Sequence, residues 1–278
     1  FYDKLVRITS SNNPRVFIFP PLDKLKALKL DEVYKVYEKL YKDASDYTFV
    51  FVGNIDVKKI TPMLEMYIGG LPATGVKRNW QERKVKFPAG VTEETVYKGK
   101  EDKSRVAMMF HGDLKWSDKT YITARLLMKT LSIKLRESMR EEQGGVYGVR
   151  ASISIDKLPK TEYDINVMWG CAPDNVDKLV NTVLEEMKKI VDNGPTDTDI
   201  EKAKETFINE RETQVKENNF WLNYIKARRF NGDELLSFDD YKKIIEGITK
   251  KDLQKAAKAY FTPKHYVKVV LMPEAKKE

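Results

Sequence analysis

Arg140 and Tyr147, seven residues apart, are the residues of this chain whose types and spacing best fit a chemical role. Arg140 lies near the predicted end of a long helix, and Tyr147 lies at the start of the strand that follows. A guanidinium and a phenol are directional hydrogen-bond donors, and together they can hold a peptide carbonyl. Taken alone, the two residues favour a structural interpretation, in which the arginine binds helix C-terminal carbonyls and the tyrosine is half in the core.

The elements around this pair are predicted by two periodicities. From about Ser117, apolar residues recur at steps of three and four, which places them on one helix face: Ala124, Met128, Leu131, Leu135 and Met139. The pattern stops at Gly144–Gly145, where a helix end is expected. Apolar and small or polar residues then alternate from Val146 to Ile155, which predicts a strand.

The remaining chain gives further elements with turn signals between them. The patterns predict strands near 15–19, 47–52, 94–98, 104–110, 163–169 and 266–272, and helices near 30–42, 56–68, 175–191, 196–217, 221–229, 238–245 and 250–260. We predict an α+β fold, in which helices pack against a largely antiparallel sheet to form two-layer domains.

Composition and charge exclude several classes of protein. Charged residues make up 33% of the 278 and apolar residues 41%, as in ordinary globular proteins. No run of eighteen apolar residues is present, so we expect no membrane span. The net charge is +8, but lysines alternate with acidic residues and no basic stripe stands out, so we expect no nucleic acid partner. Because the chain begins with Phe1, we expect a processed chain or a fragment.

An internal repeat suggests the domain organisation. Six apolar positions match, without a gap, six others 220 residues earlier: Leu253, Ala256, Phe261, Val267, Val269 and Leu271 match Val33, Val36, Tyr41, Tyr47, Phe49 and Phe51. We therefore predict that residues 1–75 are the C-terminal portion of a truncated domain, 76–90 a linker, and 91–278 a complete copy of that domain.

The other residues that could do chemistry do not form a site. His111 and His265 are the only histidines, and neither has a metal-ligand partner at helical spacing, so we expect turn or surface histidines and no metal bound by this chain. Cys171 lies at a predicted strand end beside Gly170, where a small buried thiol is expected.

The run LRESMREEQGGVYGVRAS resembles the second-half motif of the pitrilysin/insulinase family of inverzincin zinc metallopeptidases, especially its bacterial periplasmic zinc-protease branch. YTFVFVGNIDVKKITPMLEMYIGGLP resembles the end of that family's third domain. SRVAMMFHGDLKWS, NGPTDTDIEKAK and KENNFWL resemble parts of its fourth domain. The likeness covers almost the whole chain in order.

The resemblance implies a division of labour between two halves of one polypeptide. The first half of such a protease carries an H-x-x-E-H zinc site, and the second supplies an arginine and a tyrosine that reach the substrate. Arg140 and Tyr147 match these positions, so the resemblance implies catalytic and substrate-binding roles for both and reverses the structural interpretation. Zinc is then the cofactor of the intact enzyme, the partners are the N-terminal half and a peptide or protein substrate, and the fragment alone is inactive. The family also suggests a periplasmic or secreted location.

Two alternatives remain open. Members of this fold include structural subunits that have lost their chemistry, so the chain could belong to a catalytically silent scaffold. A basic binding module for acidic ligands is the other alternative, favoured by the net charge of +8. Phosphate-driven binding would weaken steeply with salt, which separates that module from a protease.

Overall fold

The structure, a computed structural model, describes the backbone of residues 1–142 and 146–275 and their side chains, except those of residues 140–142 and 147. The chain divides into two compact units. The sheet unit comprises Phe1–Ile18, Arg83–Arg211 and Leu236–Glu278, and the helical unit comprises Phe19–Glu82 and Glu212–Leu235.

Helices and strands follow one another as the periodicities predict over most of the chain. In chain order they are α1 (Tyr2–Thr9), α2 (Leu22–Lys26), α3 (Leu30–Tyr41), α4 (Val57–Tyr67), β1 (Val91–Tyr97), β2 (Ser104–Asp113), α5 (Asp118–Arg136), β3 (Val146–Asp156), β4 (Glu162–Cys171), α6 (Val176–Asn193), α7 (Asp197–Gln214), α8 (Asn218–Asn231), α9 (Phe238–Glu246), α10 (Lys250–Tyr260) and β5 (Tyr266–Met272). Within the described ranges, no helix combines the length and the apolar character needed to cross a membrane.

Five strands form the sheet in the order β1-β5-β2-β4-β3. The β1–β5 pair is parallel, and the β5–β2, β2–β4 and β4–β3 pairs are antiparallel. The predicted α+β class with a largely antiparallel sheet is therefore confirmed. The last strand in this order, β3, follows directly from the long helix.

The main core lies between one sheet face and α5, α6 and α10. The β2 residues Val106, Met108 and Phe110 are fully buried in this core, and so is the predicted apolar face of α5. The other sheet face carries a smaller cluster, in which Leu5 and Ile8 of α1 join Ala107, Val267 and Val269. Burial of these two faces is what holds the sheet in place.

The structure corrects the sequence-based prediction at the start of the chain. The strand predicted near 15–19 is absent, and α1 and α2 occupy the flanking residues instead. Leu5 and Ile8 are three positions apart, so one helix face can cover the sheet. The strand predicted near 47–52 is also wrong: this segment forms neither a strand nor a helix. A strand requires hydrogen-bonded neighbours, and no sheet strand lies between residues 19 and 82, all of which are described.

The compact units divide the chain differently from the predicted boundaries. Phe1–Ile18 groups with the sheet because α1 packs against it, and Glu212–Leu235, which carries α8, groups with residues 19–82. The predicted boundaries 1–75, 76–90 and 91–278 come from a repeat in sequence, whereas the units reflect packing. Whether the two regions are copies of one domain stays a prediction.

The helical unit leaves much apolar surface exposed. Helix α3 has no buried residue. Successive aromatic rings along α3 and the next segment contact one another, stacked in the first pair and tilted or edge-on in the others: Tyr34, Tyr37, Tyr41, Tyr47 and Phe49. An ion pair between the Arg78 guanidinium and an Asp46 carboxylate oxygen (2.5 Å) links the end of the range 19–82 to the segment that follows α3.

Candidate active-site junction

The candidate residues Arg140 and Tyr147 lie on the two sides of the α5–β3 junction. Residue 140 belongs to a π-helical segment, Glu137–Glu142, that continues α5, and residue 147 belongs to β3. Their side chains lie outside the described part of the chain, and so do residues 143–145 between them. Their proposed meeting therefore stays a prediction, supported by backbone positions alone.

The backbone is irregular at both candidate positions. Wide π-helical turns within α-helices occur frequently at functional sites. On the strand side, Val146 pairs with Cys171 and Gly148 with Gly170, so Tyr147 is an extra residue with no partner on β4. Such a β-bulge bends a strand and changes the direction of a side chain, and bulges are also common beside active sites.

The π-helical segment is held by buried neighbours of residue 140. Met139 is fully buried and belongs to the main core, and Ser138 is buried beside it. The Ser138 hydroxyl donates a hydrogen bond of 2.8 Å to the carbonyl oxygen of Lys134 one turn earlier. Hydroxyl bonds of this kind to a preceding carbonyl often accompany helix bends.

A charged cluster links the end of α5 to the start of α7. The Lys134 ammonium lies 2.8 Å from a Glu137 carboxylate oxygen and 3.2 Å from one of Asp199, which is only 2% exposed. Hydrogen bonding to Glu137, and secondarily to Asp199, raises the pKa of Lys134 against the opposing effect of burial. The Thr196 hydroxyl accepts a hydrogen bond of 3.1 Å from the backbone N–H of Asp199.

Sequence reasoning missed this charged cluster as a part of the site. The sequence indicates Thr196 or Asp197 as the cap of the helix predicted near 196–217, and this cap is a part of the cluster that is formed by residues close together in the chain. Lys134 is distant in the chain from Asp199, and no short-range spacing indicates that they meet. Because the cluster fixes the last turn of α5, it positions the backbone that carries residue 140.

Strand β3 provides a backbone surface next to the junction. Among the described residues it pairs only with β4, so its other edge has peptide groups available to a further strand. At Gly148, no heavy atom of the described residues lies within 4 Å of a Cβ placed there, so they leave open space where a side chain would begin. An extended peptide can add to such an edge through main-chain hydrogen bonds.

The two histidines and the cysteine have structural surroundings. Phe87 stacks on both histidine rings, with centroids 5.2 Å from His111 and 5.5 Å from His265. His111 Nδ1 lies 3.0 Å from an Asp164 carboxylate oxygen, and this hydrogen bond raises the pKa of His111. Cys171 is buried, and burial raises the pKa of its thiol, as expected for an unreactive cysteine.

The described side chains do not fit a zinc site. Within residues 1–142 and 146–275, apart from the side chains left out, no three His, Cys, Asp or Glu residues are grouped so that they could hold a metal. Structural and catalytic zinc sites need at least three such protein ligands. The described residues therefore supply no zinc-binding group.

Comparison with known proteins identifies the family. A family model described as "Peptidase M16 inactive domain" matches residues 27–207. The chain is 26% identical to a zinc protease PQQL-like protein of Arabidopsis thaliana over 96% of its own length and 31% of the relative's. It thus spans about a third of that relative.

Solved structures show the same fold. The periplasmic protease PqqL of Escherichia coli superposes with a TM-score of 0.76 at 18% identity, covering 91% of this chain and 28% of that one. A peptidase M16 inactive domain from Pseudomonas fluorescens gives a TM-score of 0.74 at 14% identity, covering 100% and 66%. The resemblance to insulinase-like metalloproteases inferred from REEQGGVY is confirmed. The chain belongs to the peptidase M16 family, in which it carries the domain described as inactive.

Proposed function

We propose that this chain is the C-terminal, non-zinc part of a zinc endopeptidase. In this proposal Arg140 and Tyr147 bind the substrate and stabilise the transition state at a zinc site that a separate N-terminal half carries. The observation that carries it is the family match together with the positions of these residues, one in a π-helical segment and one in a β-bulge, at a single helix–strand junction.

The two side chains have distinct roles in the proposed mechanism. Attack on a peptide carbonyl converts its oxygen into an oxyanion, and the Tyr147 hydroxyl donates a hydrogen bond to that oxygen as its charge develops. The Arg140 guanidinium, planar and permanently charged, holds a neighbouring substrate carbonyl or carboxylate and orients the phenol. Neither role requires a metal ligand from this chain.

Strand β3 has a third role in this proposal, the alignment of the substrate. An extended peptide that pairs with the free edge of β3 runs past the junction, since Tyr147 is the second residue of the strand. Main-chain pairing is independent of side-chain identity and suits a protease that accepts varied sequences.

Three further statements belong to the same proposal. Zinc is the cofactor of the intact enzyme and is held by the N-terminal half of the same polypeptide, so the present chain alone cleaves nothing. The substrate is a peptide or protein. The location is periplasmic or secreted, supported by the E. coli relative described as a periplasmic protease.

We also propose that residues 1–75 are the C-terminal portion of a second copy of the complete domain at 91–278, joined by the linker 76–90. The support is a contrast in burial between matched positions. Val267 and Val269 are fully buried in the sheet, whereas 220 residues earlier Phe49 is exposed and Tyr47 is only partly buried. A segment with the pattern of a central strand but without its two neighbours leaves the same apolar positions uncovered.

The experiment uses the full-length polypeptide that contains this chain, loaded with zinc, and compares Tyr147→Phe with wild type. Loss of one oxyanion donor is expected to lower kcat by about 10²–10³-fold with little change in KM. Arg140→Lys keeps the charge but loses the planar fork, so we expect impaired turnover as well. Tyr97→Phe on β1, where the tyrosine is exposed, is the matched control with unchanged kcat.

The outcomes separate the protease from the silent scaffold. A wild-type kcat in Tyr147→Phe would remove Tyr147 from the catalytic residues. A zinc-loaded, folded wild-type protein that cleaves no peptide in a diverse library would instead favour the scaffold.

A further inference from the structure

A small groove lies beside the free edge of β3 and has no role in the proposed mechanism. Its volume is about 200 Å³, which suits one side chain better than a small molecule. We call it the α5–β3 groove, and its walls include Arg125, Lys129 and Ser132 of α5, Phe207 of α7, and Ala151 and Ile153 of β3.

The groove has a fixed relation to the strand edge. The Ser132 hydroxyl donates a hydrogen bond of 3.1 Å to the carbonyl oxygen of Ala151, which ties α5 to β3 along the groove. A peptide paired with the free edge of β3 directs alternate side chains to the helix-covered face of the sheet. A side chain on that face would point toward the side of the sheet on which the groove lies.

The charge of the groove is positive. The Arg125 guanidinium lies over the rings of Tyr121 (5.5 Å) and Phe207 (5.4 Å), so aromatic contacts hold it in place. Among the described side chains, no carboxylate lies within ion-pair distance of Arg125. The Lys129 ammonium lies 3.7 Å from an oxygen of Glu210, whose side chain is exposed, so this pair contributes little. A competing carboxylate can therefore engage both cations.

We propose that the α5–β3 groove is a specificity subsite for an acidic side chain of an extended peptide paired with β3. The proposal deepens the function proposed above and rests on its edge-strand role for β3. It identifies a substrate class: extended segments that carry a glutamate or aspartate on the face directed toward α5 and α7. The walls of Phe207 and Ile153 would bury the methylene groups of the side chain, and Arg125 and Lys129 would bind its carboxylate.

The test measures peptide binding by fluorescence anisotropy, using the full-length polypeptide with EDTA so that metal-dependent cleavage does not consume the probe. Labelled decapeptides rich in serine, threonine and valine differ at one central residue, which is glutamate, glutamine or lysine. We expect the glutamate peptide to bind about three- to ten-fold more tightly than the glutamine peptide at low salt, the range for one or two exposed charge pairs. We expect the lysine peptide to bind most weakly. The ratio of the affinity for the glutamate peptide to that for the glutamine peptide should fall toward one as the salt concentration rises.

Variants of the protein assign the preference to the groove. Arg125→Gln and Lys129→Gln are each expected to lower the glutamate-to-glutamine ratio and to leave the affinity for the glutamine peptide unchanged. Glu210→Gln removes the competing carboxylate and is expected to raise the ratio. Lys178→Gln, which removes one exposed positive charge from α6 outside the groove, is the matched control and leaves the ratio unchanged.

A glutamate peptide with alternate backbone nitrogens methylated tests strand pairing without altering the protein. We expect it to lose binding, because methylation removes the donors that pair with β3. Equal affinity for the glutamate and glutamine peptides, with binding lost on methylation, would overturn the groove proposal and leave the alignment role of β3 intact. If no peptide binds, both the groove proposal and the alignment role of β3 are overturned. This includes the case in which a second copy of the chain occupies the free edge of β3. Full binding by the methylated peptide would show charge attraction without strand pairing and would also refute the proposal.

Discussion

The ion pair between Lys134 and Asp199 allows an asymmetric prediction about stability. Asp199 is 2% exposed, whereas the Lys134 side chain is 29% exposed and has Glu137 as a second partner. Lys134→Met leaves a buried carboxylate without its cation, whereas Asp199→Asn leaves a partly solvated ammonium that is still paired. Lys134→Met should therefore lower the free energy of unfolding more than Asp199→Asn does.

The magnitudes follow from the burial of each group. Removing one partner of a buried ion pair costs about 3–5 kcal/mol, which we expect for Lys134→Met. For Asp199→Asn we expect the free energy of unfolding to fall by about 1.5–3 kcal/mol, which is the contribution of one hydrogen bond to a charged group. The loss is smaller because the asparagine amide can still lie beside Thr196. Lys188→Met breaks the exposed Lys188–Asp192 pair on α6 and should cost less than about 1 kcal/mol, which makes it the matched control.

Urea unfolding followed by tryptophan fluorescence provides the assay. The chain has four tryptophans, and replacing Trp80 and Trp221 with Phe leaves Trp116 and Trp169, which both belong to the sheet unit. Trp169 is buried in the main core, so its emission reports on the packing around α5. The free energy of unfolding is obtained for each variant by linear extrapolation.

The expected order of cost is Lys134→Met, then Asp199→Asn, then Lys188→Met. An Asp199→Asn variant less stable than Lys134→Met would refute the argument that the buried carboxylate is the more demanding partner. Costs for both variants as small as that of the control would show that the cluster does not fix the end of α5.

Two further predictions concern β2 and β4. Gly112→Ala places a Cβ 2.7 Å from the buried Tyr163 hydroxyl oxygen, so we expect the free energy of unfolding in urea to fall by about 1–3 kcal/mol. Gly148→Ala meets no atom of the described residues within 4 Å and should change the free energy of unfolding little. Equal losses for the two variants would contradict this expectation. The hydrogen bond to Asp164 raises the pKa of His111 above its ordinary value of 6.5. The stability that this hydrogen bond contributes is therefore complete at low pH and is lost as the pH rises through the raised pKa. The cost of Asp164→Asn should therefore be larger at about pH 5.5 than at about pH 8.5, and a cost that is the same at both would exclude this linkage.

The sequence by itself determined the local elements at the site. Ser117 caps α5 by accepting a hydrogen bond from the Thr120 N–H, and the apolar residues three and four positions apart became its buried face. The change to a period of two placed β3 correctly from Val146. Caps and periodicities depend on backbone geometry within one or two turns, so a single sequence records them. The REEQGGVY run identified the family for the same reason, since a contiguous motif can be read without the fold.

Only the tertiary structure decided which segments pair and which charges meet. The alternating residues near 47–52 and 266–272 have the same pattern, yet only the second segment forms a strand, because β1 and β2 flank it. Lys134 meets Asp199 because α7 packs near the end of α5. The exposed edge of β3 follows from the strand order, which depends on packing free energies among distant residues. No spacing within one segment encodes those energies, because they arise between surfaces that the folded chain brings together.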